Sequence, residues 1–107
     1  MAKKKFLTDY TKFFAQHLVS ATVENAAKQN VVLTFAPAIS VKRFAKATAA
    51  MFTLAGKTID TLTLNYTTGT VTVHVTVAYA AGAGFNLTFN PTYKGDTVVQ
   101  AVANNVA

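Results

Sequence analysis

The chain contains no cysteine. That absence removes disulfides, thiolate zinc sites and thiol nucleophiles together, and it leaves the redox compartment open. No apolar run approaches the ~18–20 residues that a membrane-spanning helix needs. The N-terminus, MAKKKFLTDY, has the positive start of a signal peptide. It lacks the uninterrupted apolar stretch and small-residue cleavage site that follow in one. The cytoplasm or a virion is therefore the expected location, with no signal peptide and no transmembrane segment. Acidic residues are also scarce. There are 4, against 10 Lys and Arg, and Glu24 is the single glutamate. Charged residues of either sign make up 13% of the chain, where an ordinary domain carries roughly 25%.

Groups for catalysis are missing as well. General acid–base work needs a His or carboxylate held by a second titratable group. The candidates are His17, His74, Asp9, Asp60, Asp96 and Glu24, and no pair among them has metal-ligand spacing. His74 has only Thr and Asn as expected neighbours on its strand face, and Asp60 falls on the inward parity of its strand. The glycine-rich AAGAG at 80–84 leads into Phe85 and a strand, which marks a turn; a phosphate cradle would open a helix there. The reading is a non-enzyme with no cofactor, no metal and no small-molecule substrate.

What the chain does have is length for one core and 51% hydrophobic residues. Residues 1–5 read as a basic tail and residues 6–107 as one domain. From Thr61 to Phe89, Thr and Asn alternate with large apolar residues, the period of a half-buried strand. Three strands are expected. In the first, 58–66, Leu62, Leu64 and Tyr66 point inward. In the second, 70–80, Val71, Val73, Val75, Val77 and Tyr79 do so. In the third, 85–90, Phe85, Leu87 and Phe89 do so. Val31 to Ala36 reads as a further short strand stopped by Pro37.

Helical spacing is read in three places. Phe6 to Gln29 carries a stripe through Leu7, Tyr10, Phe14, Leu18 and Ala21. Ser40 reads as the N-cap of a second helix running to Ala55. Asp96 reads as the cap of a last one over 97–106, whose β-branched content fits a helix least well. The expected fold is therefore α+β in two layers. An antiparallel meander of three to four strands has helices on one face, in the order α-β-α-β-β-β-α.

Two surfaces stand out in that arrangement. Lys42, Arg43 and Lys46 beside Ser40 at a helix start, extended by Lys3, Lys4 and Lys5, read as an anion or nucleic-acid contact. The polar sheet face, comprising Thr61, Thr63, Asn65, Thr70, Thr72, His74, Thr76, Asn86 and Thr88, reads as an assembly face. It is wettable but uncharged, and it has none of the aromatics of an RNA-stacking platform.

From Ala38 onward the order helix–three strands–helix resembles that of double-stranded-RNA-binding domains. With Val31 to Ala36 added it resembles the ribosome-hibernation-factor arrangement. Both resemblances imply RNA contact through phosphates, although the start of the last helix, GDTVVQ from Gly95, carries Asp96 where such domains carry cations. The composition, rich in Ala, Thr, Val and Asn, resembles that of bacteriophage virion and tail proteins. The expected function is a non-catalytic assembly subunit, a homo-oligomer or part of a larger protein assembly. The alternative is a small RNA- or DNA-binding protein.

Overall fold

Residues 10–45, 47–91 and 97–107 are described by the structure, a computed structural model. Tyr10–His17 forms helix α1, the one α-helix among the described residues. Its Tyr10, Phe13 and Phe14 lie at i, i+3 and i+4, which share one face, and all three are buried. Helix α1 stops where β1 (Leu18–Glu24) begins. The junction is tied to the end of β2 (Asn30–Phe35). The His17 Nδ1–H donates to the Ala36 carbonyl at 2.9 Å, and the Ala36 N–H donates back to the His17 carbonyl at 2.9 Å.

Five more strands follow: β3 (Phe52–Leu54), β4 (Ile59–Asn65), β5 (Thr70–Val75), β6 (Phe85–Phe89) and β7 (Val98–Asn105). Three short 3₁₀ segments, Asn25–Ala27, Ala38–Phe44 and Ala49–Met51, sit between strands. All seven strands form one sheet in the order β3-β6-β7-β1-β2-β5-β4. Neighbours are antiparallel except β1 and β7, which run parallel. The sheet curls until its two edge strands, β3 and β4, lie close together without a ladder, so it is nearly closed into a barrel.

The barrel interior is the core. Val23, Val31, Leu33, Val71, Val73, Val75, Leu87 and Phe89 are fully buried. One end is plugged by aromatic rings. Phe44 packs 5.2 Å from Tyr10, 5.3 Å from Phe13, 5.2 Å from Phe35 and 5.7 Å from Phe89, measured between ring centroids. At that end Gly69, with φ +75°, closes the β4–β5 turn against β2. The Phe35 N–H donates to its carbonyl at 2.7 Å.

This architecture overturns the expected two-layer α+β fold. The protein is mostly β, and helices do not cover one face of a meander. The long helix expected over 6–29 is helical only through His17 among the described residues; Leu18–Glu24 is a strand. Ala21 and Val23, two apart, share the inward face there, as strand geometry requires.

The helix expected from Ser40 to Ala55 is replaced by two 3₁₀ turns and β3. In a helix, Phe52 and Leu54 would point about 200° apart, leaving one in water. In β3 both are buried, at 4% and 2% exposure. Burying two such side chains stabilises by about 3–6 kcal/mol. That outweighs the helix preference of the neighbouring alanines, which is at most ~0.7 kcal/mol per residue. The last expected helix is β7, where Val98 and Val102 face the core and Val99 faces out. Its β-branched residues suit the slot between β6 and β1. The resemblance to double-stranded-RNA-binding domains falls with these helices.

Candidate assembly surface

The strands place alternate residues outside the barrel, and their registers align these residues into rows. On the exterior of β4, β5, β2 and β1, Thr63 sits opposite Thr72, Thr72 opposite Val32, and Val32 opposite Thr22. The flanking rows are Thr61–His74–Asn30 and Asn65–Thr70–Thr34–Ser20. On β6 and β7, Asn86 faces Ala101 and Thr88 faces Val99. Among the described residues no Lys or Arg lies in a strand. Lys12 is in α1, Lys28 and Lys57 are in turns, and Lys42 and Arg43 are in the Ala38–Phe44 segment. The strand exterior carries Glu24 and Asp60 as its acidic residues and His74 as its histidine.

Of the residues expected to form the assembly face, Thr61, Thr63, Asn65, Thr70, Thr72 and His74 are adjacent on β4 and β5. Thr76 lies just beyond β5, exposed, with its N–H donating to the Thr58 carbonyl at 3.0 Å. Asn86 and Thr88 point outward too, but β7, β1 and β2 separate their strand from β5. The face read as continuous is therefore two patches on different sides of the barrel.

The structure adds a pair that parity reasoning missed. The β4–β5 register slips between Ile59 and Thr61, so Asp60 is the extra residue of a bulge. The bulge turns Asp60 from the inward parity expected of it to the outside, beside His74. The His74 Nδ1–H donates to Asp60 Oδ1 at 2.6 Å, and the Thr61 hydroxyl lies 3.4 Å from the same oxygen. The hydrogen bond from His74 holds the Asp60 carboxyl below its ordinary titration range. His74 thus has a carboxylate partner, contrary to the sequence reading. The pair is open to water, at 36% and 40% exposure, which leaves it without the desolvated surroundings of an acid–base site. Glu24 is held low in the same way, chiefly by the amide of Asn105, 2.8 Å away.

The two ends of the barrel differ. At the plugged end Lys42 lies over the Tyr66 ring at 5.9 Å and Arg43 over the Phe13 ring at 6.0 Å. Tyr10 donates its hydroxyl to the Arg43 carbonyl at 2.7 Å. At the other end Tyr79 stacks on Phe85 at 4.3 Å, and burial pushes its hydroxyl pKa up. Lys57 lies 4.4 Å over Tyr79 and donates to the carbonyls of Val77 and Ala78 at 3.1 and 3.0 Å. That ammonium is committed to holding the 76–84 loop.

The expected anion contact is not built as read. Ser40 caps no α-helix. It lies inside a seven-residue 3₁₀ segment whose capping position is Pro37, and its Oγ is buried without a hydrogen-bond partner among the described residues. The dipole and free amides of a long helix start are therefore missing beside Lys42 and Arg43. Lys3, Lys4, Lys5 and Lys46 lie outside the described residues.

Comparison of the chain with family models, with curated proteins and with solved structures finds no match. Among the described residues no helix is long and apolar enough to cross a membrane, and no group of three or more His, Asp or Glu is placed to hold a metal ion.

Proposed function

We propose that this chain is a non-catalytic assembly subunit that associates with further copies of itself through the Thr- and Asn-rich exterior of its sheet. One observation carries the reading: among the described residues no Lys or Arg lies in a strand, although the formal net charge of the chain is +6. Copies of a basic chain repel one another. Contact is least opposed where the cations are absent and the surface is Thr, Asn, Ser and small apolar residues. Hydroxyls and amides both donate and accept, so such a surface meets its own copy without stranding a donor. A virion is the kind of particle in which such a subunit works, in keeping with the composition.

Phosphate contact by Lys42 and Arg43 rested on a helix start at Ser40. With no α-helix there, the nucleic-acid reading loses its main support.

Analytical ultracentrifugation at moderate salt tests the proposal. Oligomers are expected to form with rising protein concentration and to persist at ~0.5 M salt, because the contact is not held mainly by charge. A monomer at every concentration sinks the reading.

A further inference from the structure

We propose that the first contact between copies is a two-fold dimer in which the exteriors of β4 and β5 meet antiparallel, with Thr63 and Thr72 near the axis. The inference rests on the assembly reading and names its surface and geometry.

Charge placement along β4 decides the direction. Asp60 sits at the start of β4, and Tyr66, with Lys42 over its ring, sits just past its end. Six residues of strand separate Asp60 and Tyr66 by ~20 Å. Among the described residues Asp60 has no Lys or Arg partner, and Lys42 and Arg43 have no carboxylate partner. The acid is aimed outward by the bulge and fixed by His74; the cation is placed by the Tyr66 ring.

When two copies meet antiparallel, Asp60 of each comes to the end where the other carries Lys42. Two-fold symmetry makes that contact twice. A parallel arrangement sets Asp60 against Asp60 and Lys42 against Lys42, which is repulsive at both ends. Between the two charged contacts lies the Thr63–Thr72 row, uncharged and exposed or half-exposed. Its hydroxyls face like hydroxyls across the axis. The 60%-exposed Val99 is on β7, separated from β5 by β1 and β2, and stays outside this contact.

The absence of cysteine makes the test clean, since any introduced thiol is unique. Thr63→Cys and Thr72→Cys are expected to give disulfide-linked dimers on mild oxidation. Thr88→Cys, outward on β6 but across the barrel, is expected to give none. Separately, Lys42→Glu and Asp60→Lys each bring like charges together twice and are expected to weaken the dimer at least ~10-fold in sedimentation. The double variant Asp60→Lys with Lys42→Glu restores opposite charges and is expected to recover wild-type affinity within ~3-fold.

The outcomes separate this inference from the reading beneath it. A wild-type chain that never associates removes both. A chain that associates but cross-links through Thr88→Cys, or through none of the three, keeps the assembly reading and overturns this surface. Cross-linking at Thr63→Cys or Thr72→Cys without rescue by the charge swap overturns the antiparallel direction.

Discussion

Two glycines allow the close approach of the β4–β5 turn to β2 to be measured as a free energy. Gly56 and Gly69 have nearly the same backbone, with φ of +74° and +75°. Their surroundings differ. A Cβ added at Gly56 meets nothing within 4 Å, whereas one added at Gly69 falls 2.5 Å from the Phe35 carbonyl oxygen and 2.8 Å from Ala38 Cα. Both neighbours are backbone, so neither can swing aside. Gly56→Ala is expected to cost the left-handed conformation alone, about 1–2 kcal/mol. Gly69→Ala adds overpacking of about 1–3 kcal/mol, and it pulls on the 2.7 Å hydrogen bond from the Phe35 N–H. Urea unfolding gives both numbers, provided the m-values match that of the wild type. Gly69→Ala should be the worse by about 1–3 kcal/mol. Equal losses for the two variants refute the reasoning, because they mean that the turn does not press on β2.

Other predictions concern the His–Asp pair and the aromatic plug. The Asp60 carboxyl is expected to titrate below the ordinary aspartate range in carbon-detected NMR, and His74→Ala should return it to that range. Because its folded pKa is lowered, the pair stabilises the fold above the unfolded aspartate value of ~3.9. That contribution is lost as pH falls through the lower folded value; a carboxyl unmoved by His74→Ala would show that the hydrogen bond does not form. Phe44→Ala, at the centre of the plug, should cost about 3–5 kcal/mol in chemical denaturation. Val99→Ala on the exterior should stay within about 0.5 kcal/mol, and similar losses at the two sites would contradict the assigned core.

How far the chain could be read in advance depended on whether local period and tertiary need agreed. Along β5 and β6 they did. Val71, Val73 and Val75 are inward as alternation requires, and so are Leu87 and Phe89. In Leu18–Glu24 and Val98–Asn105 apolar residues recur at spacings that suit a helix and a strand alike. The choice is made by β7 and β1 pairing in the middle of the sheet, residues ~80 apart in sequence. No local window contains that information. The stretch from Ser40 to Ala55 looked helical because Ser40 suits an N-cap and Val41, Phe44, Met51 and Phe52 recur at helical spacing, and the burial of Phe52 and Leu54 against β6 overrode that pattern. The candidate site was lost by a single residue. The bulge at Asp60 shifts register by one, which moves a side chain from core to exterior. The outward Thr positions of β4 and β5 were legible; their separation from Asn86 and Thr88 was not, because strand order is invisible to periodicity.

The parallel contact of β7 with β1 governs when this molecule can exist as a folded object. Without β7 the strands fall into two unconnected groups, β3 with β6 and β4-β5-β2-β1. The second group can zip through successive hairpins, from β1 to β2 and from β4 to β5. The first brings only the three-residue β3 to β6 and is too small to hold alone. Closure waits on β7, which must enter between β6 and β1, both synthesised before it. Such distant pairing is slow, because loop entropy is lost before the contacts form. A chain emerging from the ribosome therefore exposes its valine-lined interior until β7 arrives. Its vulnerability to aggregation and proteolysis is concentrated in that interval.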